Sequence, residues 1–92
     1  MDIEFDPVKN EKNINKHGIS LADAGLFDYA TAKIAIDSRK DYGEVRCVST
    51  GYIYERLHIL CFVETQNGVR AISLRKANLR ERKDYEKKTR IH

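Results

Sequence analysis

The chain has 92 residues, 41% of them apolar and 34% charged, with a formal net charge of +3. This length suits one small domain, expected to take in residues 1–92 around a modest core, and no apolar run is long enough for a membrane-spanning helix. Residues 70–92 hold nine basic side chains against three acidic ones, leaving residues 1–69 at −3. A basic end on a nearly neutral body suits a polyanion partner, and it also suits a solvated helix laced with ion pairs.

The chain opens acidic, MDIEFDPVKN, without an apolar signal core, so secretion is not expected and the cytoplasm is the default compartment. DIEF (2–5) can form a short edge strand. Asp6-Pro7 reads as an N-cap followed by proline at the first helical position. The helix it opens should run from Pro7 to His17 and stop at Gly18, with Lys16 and His17 in the last turn facing the negative end of the dipole. Ser20 then opens a second helix over 21–28 (LADAGLFD), with Leu21, Ala24, Leu26 and Phe27 as its apolar residues. The corner KHGIS resembles a helix–turn–helix bend, but neither helix presents a recognition face for DNA.

After Tyr29 the pattern turns to short β-runs: 33–37 (KIAID), 45–50 (VRCVST), 56–64 (RLHILCFVE) and 69–75 (VRAISLR). DSRKDYGE (37–44) joins the first two, and YIYE (52–55) turns the second hairpin. Asn67-Gly68, between two apolar runs, predicts a tight type I′ turn. That turn would pair Glu64 with Ala71, Phe62 with Ser73 and Leu60 with Arg75. Leu57, Ile59, Cys61, Val63, Ile72 and Leu74 would then form the core face under the N-terminal helices. His58, Leu60, Phe62, Glu64, Ala71, Ser73 and Arg75 would form an open face, as a cleft or partner interface does. Cys47 and Cys61 lie in apolar runs without metal-ligand spacing, on opposite faces, and read as buried thiols.

Asn78 and Glu81 make a capping box for a last, basic helix whose large apolar anchors are Leu79 and Tyr85. Residues 86–92 are expected to fray.

The three histidines are scattered, and no phosphate-binding glycine loop or nucleophile elbow occurs, so no metal or cofactor is expected. What remains is a set of cations with a few proton carriers. Arg46, Arg56, Arg75 and Arg82 can hold a phosphate with two parallel hydrogen bonds. His17, Glu44, His58, Tyr85 and a lysine can move protons. RNA supplies its own nucleophile, the 2′-hydroxyl, and its cleavage needs a base, an acid and cations for the crowded phosphorane. The inventory fits that chemistry, and it fits a plain RNA-binding domain as well. His58, mid-strand, also reads as a hydrogen-bonded sheet residue, and His17 as a helix C-terminal cap.

Four motifs occur in order: F-D-P-x-K-x-x-x-N-x-x-K-H-G-I-S at Phe5–Ser20, Y-G-E-x-R at Tyr42–Arg46, R-L at Arg56–Leu57, and I-S-x-R-x-A-x-x-x-E-R-x-x-Y at Ile72–Tyr85. In this the chain resembles the BrnT toxin family over nearly its whole length. The resemblance implies an α+β, RelE-like fold, here two N-terminal helices packed on an antiparallel sheet with a basic C-terminal helix. It also implies an endoribonuclease toxin of a type II toxin–antitoxin pair that cleaves RNA and halts translation. Its partner would be a BrnA-like antitoxin, in a complex of two plus two chains that represses its own operon through the antitoxin's DNA-binding part. Carried over position by position, the motifs point to Arg75, Arg82, Tyr85, His17 and Lys16 as catalytic. Glu44, Arg46 and Arg56 follow as substrate-binding, joined by His58 and Lys76. Phe5, Leu74 and Asn78 depart from the family's common Trp, Ala and Thr, at positions read as packing or capping. Two other classes stay open: a non-catalytic RNA- or DNA-binding adaptor on the same basic face, and a structural partner whose Ala71/Ser73 face receives a helix.

Overall fold

Asp6 starts the first helix as its sequence predicts, its Oδ1 accepting the Val8 backbone N–H at 2.9 Å with Pro7 following. Helix α1 (Pro7–His17) ends at Gly18, whose φ of 71° is left-handed and whose N–H donates to the Ile14 carbonyl at 2.8 Å. These elements belong to a computed structural model that describes residues 1–89, a mixed α+β fold with a five-stranded sheet.

The second expected helix is a short 3₁₀ helix instead, Leu21–Leu26, capped by the Ser20 hydroxyl. One α-helix, not two, therefore precedes the sheet. The cause lies at Phe27, whose backbone is extended and bridges to Ile53. Its ring rests on Gly51, where an added Cβ would sit 2.6 Å from the Phe27 Cζ. Anchoring that ring pulls the chain out of helical geometry before a second α-turn can form.

The strands are β1 (Asp2–Glu4), β2 (Lys33–Ile36), β3 (Cys47–Ile53), β4 (Arg56–Glu64) and β5 (Gly68–Lys76), in the order β1-β5-β4-β3-β2. Four of them are antiparallel, but β1 lies parallel to β5, so the expected antiparallel sheet has a parallel edge. The β4–β5 turn also differs from expectation. Its two loop residues are Gln66 and Asn67, the Thr65 N–H donating to the Gly68 carbonyl, and Gly68 has no positive φ. Glycine is required there for another reason: a Cβ would run into the backbone of Asp2 on β1.

Pairing starts as Glu64–Val69 and Phe62–Ala71, then a bulge shifts it to Cys61–Ser73, Leu60–Leu74 and Ile59–Arg75. The faces expected of the sheet are corrected accordingly. Leu60, Phe62, Val69, Ala71 and Leu74 pack with Leu21, Ala24 and Phe27 of the N-terminal segment. Leu57 and Ile59 pack on the opposite side with Ala77 and Tyr85. Strand β4 is apolar on both faces because both are covered, so alternation alone does not say which layer meets which face. Leu21, Leu60 and Leu74 are fully buried, each stabilising the fold by about 1.5–3 kcal/mol. Cys47 packs beside the first core while Cys61 lines the other face, and both are free thiols.

Helix α2 (Leu79–Thr89) carries the predicted capping box: Glu81 N–H to Asn78 Oδ1 at 2.8 Å, and Asn78 N–H to Glu81 Oε1 at 2.9 Å. The helix continues to Thr89; the rest of the segment expected to fray, residues 90–92, lies outside the described residues. Its anchor is Tyr85, buried, edge-on to Tyr52 at 5.7 Å and donating its hydroxyl to the Thr31 carbonyl at 2.9 Å.

Candidate functional site

The α2 side of the sheet is only half covered, and the open half forms a groove of about 570 Å³. Val48, Thr50, Ile59, Cys61, Ser73 and Arg75 form its floor, with Asp37 and Arg39 on one wall and Glu81 and Asp84 of α2 on the other. Arg75 reaches the groove because the bulge places it opposite Ile59 rather than His58. Its guanidinium is clamped by Glu81, Nη1 to Oε1 and Nη2 to Oε2, both at 2.8 Å. The two hydrogen bonds hold the Glu81 carboxyl below its usual range and raise Arg75 further. The pair is partly exposed, with 37% of the Arg75 side chain open to solvent. Screening leaves such a pair about 1 kcal/mol or less, so an incoming phosphate can take over the fork.

On the other side of Ser73 lies a shallow depression of about 210 Å³, lined by Lys9, Lys12, Lys16 and His17 of α1. Ser73 borders both hollows. The buried Asn13 holds α1 there: its Nδ2 donates to the Leu74 and Ile19 carbonyls, and its Oδ1 accepts the Leu74 N–H at 3.1 Å. Burial, followed by the nearby charges of Lys16 and Arg75, lowers the His17 pKa below 6.5. Lys16, His17 and Arg75, from segments almost sixty residues apart, are thus gathered around Ser73.

The other candidates stand elsewhere. Glu44 accepts from Arg70 at 2.6 and 2.7 Å and from Arg46 at 3.3 Å, contacts that hold its carboxyl below the usual range, Arg70 most of all. Arg46 lies 4.2 Å over the Tyr42 ring, and the Tyr42 hydroxyl donates to Asp37, which also binds Arg39. This network braces the loop that walls the groove. Arg56 donates to the Ala77 carbonyl at the entry to α2. His58 is buried, with Nδ1 2.8 Å from the Arg56 carbonyl oxygen. Lys76 is exposed and pairs across from His58, one residue on from Arg75 and so on the other face. Tyr85 keeps its hydroxyl on Thr31. Arg82 has a buried Nε with no hydrogen-bond partner among the described residues and does not line the groove. No three His, Cys, Asp or Glu side chains are gathered as metal ligands among the described residues.

Sequence reasoning put Ser73 on an open face, but it passed over Glu81 as anything but a cap, and passed over Arg39, Lys9 and Lys12. The fourth motif does contain both Arg75 and Glu81, six residues apart. Only the strand-to-helix corner turns that spacing into contact.

The class so defined is a small α+β protein with a groove of paired arginines and carboxylates beside a basic depression on α1. Residues 5–81 match the family model described as ribonuclease toxin, BrnT, of type II toxin-antitoxin system, and the chain belongs to that family of ribonuclease toxins. A type II family implies an antitoxin partner. No curated protein matches the chain. No helix among the described residues is long and apolar enough to cross a membrane.

Proposed function

We propose that the chain is a RelE-like, metal-independent endoribonuclease whose reaction takes place beside Ser73, between His17 and Arg75. The observation that carries this reading is the convergence of Lys16, His17 and Arg75 on one site. Neutral His17 takes the proton of the RNA 2′-hydroxyl, and the 2′-oxygen attacks phosphorus. The bond to the 5′-oxygen breaks, that oxygen taking a proton from Lys16, and a 2′,3′-cyclic phosphate remains. The Arg75 fork, exchanged from Glu81 to phosphate, stabilises the charge that builds on the phosphorane. Because side chains supply the cations, cleavage should persist in a chelator. Arg82 supports the field from α2. Glu44 and Arg46 shape the groove wall, and Arg56 and Tyr85 hold α2 in place.

Cleavage of RNA in the cytoplasm would halt translation, and a BrnA-like antitoxin would neutralise the toxin in a complex with two of each chain. That complex would repress its own operon through the antitoxin. The test is induction of the chain alone, then with the protein of the neighbouring reading frame, following growth and RNA integrity. Growth arrest with fragmented RNA, relieved by the neighbour and by Arg75→Ala, is expected. Intact RNA during induction would sink the reading, and RNA bound but left whole would mark a non-catalytic adaptor.

A further inference from the structure

We infer that the face of α1 carrying Lys9, Lys12 and Lys16 is a phosphate track that holds single-stranded RNA on one side of the scissile bond. This rests on the reading of the Arg75 groove as the cleavage site and adds a substrate subsite to it.

Four observations support the track. The three lysines fall within one narrow arc of the helix, while Glu11, the only acid within α1, points to the far side. They are also free of partners. Among the described residues Lys9, Lys12 and Lys16 make no ion pair, as Lys83 and Lys87 of α2 make none, whereas Arg39 and Arg75 of the groove are each held by a carboxylate. Their placement is rigid, because Asn13, on the same arc, is pinned to both the N–H and the carbonyl of Leu74. Lastly, the depression they line and the groove that holds Arg75 share Ser73 as a border, so a strand lying on α1 needs only to pass Ser73 to reach Arg75. At 1.5 Å per residue the stripe from Lys9 to Lys16 spans about 10 Å, long enough to meet more than one phosphate of a single strand. The groove itself carries Asp37, Glu81 and Asp84 beside its arginines. It is suited to one phosphate in reaction rather than to gripping a chain of them, and α1 supplies what it lacks.

The alternative is a diffuse basic field, in which any two lysines count alike. The test therefore compares Lys9→Gln/Lys12→Gln with Lys83→Gln/Lys87→Gln on α2, two exposed pairs with the same loss of charge. Glutamine keeps helix propensity at all four positions. Binding of a 12-nucleotide 2′-O-methyl RNA, whose blocked 2′-oxygen prevents cleavage, is titrated against salt. The α1 variant should bind roughly 10- to 30-fold more weakly near 0.1 M salt, with its log–log salt slope reduced by about 1.4, or 0.7 per lost contact. The α2 variant should keep the wild-type slope. Equal slopes for the two variants, or an unchanged slope for the α1 variant, would overturn the track. Cleavage of a dinucleotide, too short to reach Lys9 and Lys12, should match wild type in the α1 variant and vanish in Arg75→Ala. If the slope difference holds while wild type cleaves no RNA, the track stands and the cleavage reading falls. If wild type cleaves and the slopes agree, the reverse is true.

Discussion

Arg75 and Tyr85 belong to one sequence motif, yet their surroundings set them to different work. Arg75 stands in an open groove, partly exposed, with its fork on the Glu81 carboxylate. Tyr85 is buried between Leu57, Ile59 and Ala77, and its hydroxyl completes the hydrogen bonding of a loop carbonyl. Tyr85→Phe should therefore lower stability by about 1 kcal/mol, the worth of one hydrogen bond, and leave the cleavage rate within about two-fold of wild type. Denaturant melts and a cleavage assay read the two effects separately, and a loss of about 100-fold in rate would return Tyr85 to the chemistry. His17 offers a second measurement at this scale. Its pKa is lowered by burial and then by Lys16 and Arg75, so its ring protons should titrate by NMR with a midpoint below 6.5. Lys16→Gln should move that midpoint upward, though not all the way, because burial remains. A wild-type midpoint above 6.5 would remove His17 as the neutral base.

Helix α1 is the element most legible in the sequence, because its start and its stop are both local signals. Asp6-Pro7 and Gly18 act where they stand. The sheet was less legible. Gly68 follows Asn67 as a hairpin glycine would, but here it is needed for the close approach of β1, sixty-six residues earlier in the chain. Gly68→Ala should push β1 off the sheet edge and cost about 1–3 kcal/mol, as overpacking does. Faster amide exchange at Ile3 and Glu4, with the rest of the sheet protected, would be the signature. An unchanged denaturation midpoint would show that β1 contributes nothing to stability. The bulge between Cys61 and Phe62 had no sequence signal, since no glycine or proline marks it. It nevertheless decides that Arg75 shares a face with Ile59 and Cys61.

The whole molecule is stitched on its groove side by carboxylate–arginine pairs, and these give it a pH dependence. Asp37, Glu44 and Glu81 are each held below their ordinary values, chiefly by hydrogen bonds from Arg39, Arg70 and Arg75 respectively. In the window between the folded and unfolded values, the unfolded chain binds more protons, so stability rises with pH there. The pairs therefore act in full above about pH 4, the unfolded carboxylate value, and are lost as pH falls through the lower folded values. Denaturation midpoints should decline gently from pH 7 to 5, where the unfolded chain protonates His17 before the folded one does, and fall steeply below 4. Glu44→Gln/Glu81→Gln should flatten that fall, and an equally steep fall in the double variant would show that other groups govern acid unfolding.

The sequence by itself determined the helix caps, the strand segments apart from the end of β3, which runs through Tyr52 and Ile53 where a turn is expected, the capping box that opens α2, and the family to which the motifs belong. Each depends on neighbours within a few residues or on residue order, and both are present in the chain before it folds. The tertiary structure alone decided which face of the sheet meets the N-terminal segment, why Gly68 is glycine, and which cations meet. Alternation along a strand says that two faces exist, but a sheet covered on both sides is apolar on both, and only packing assigns the layers. In the same way the basic residues name an inventory, and only the packing of β5 against α1 and α2 brings Arg75, His17 and Lys16 to the two sides of Ser73.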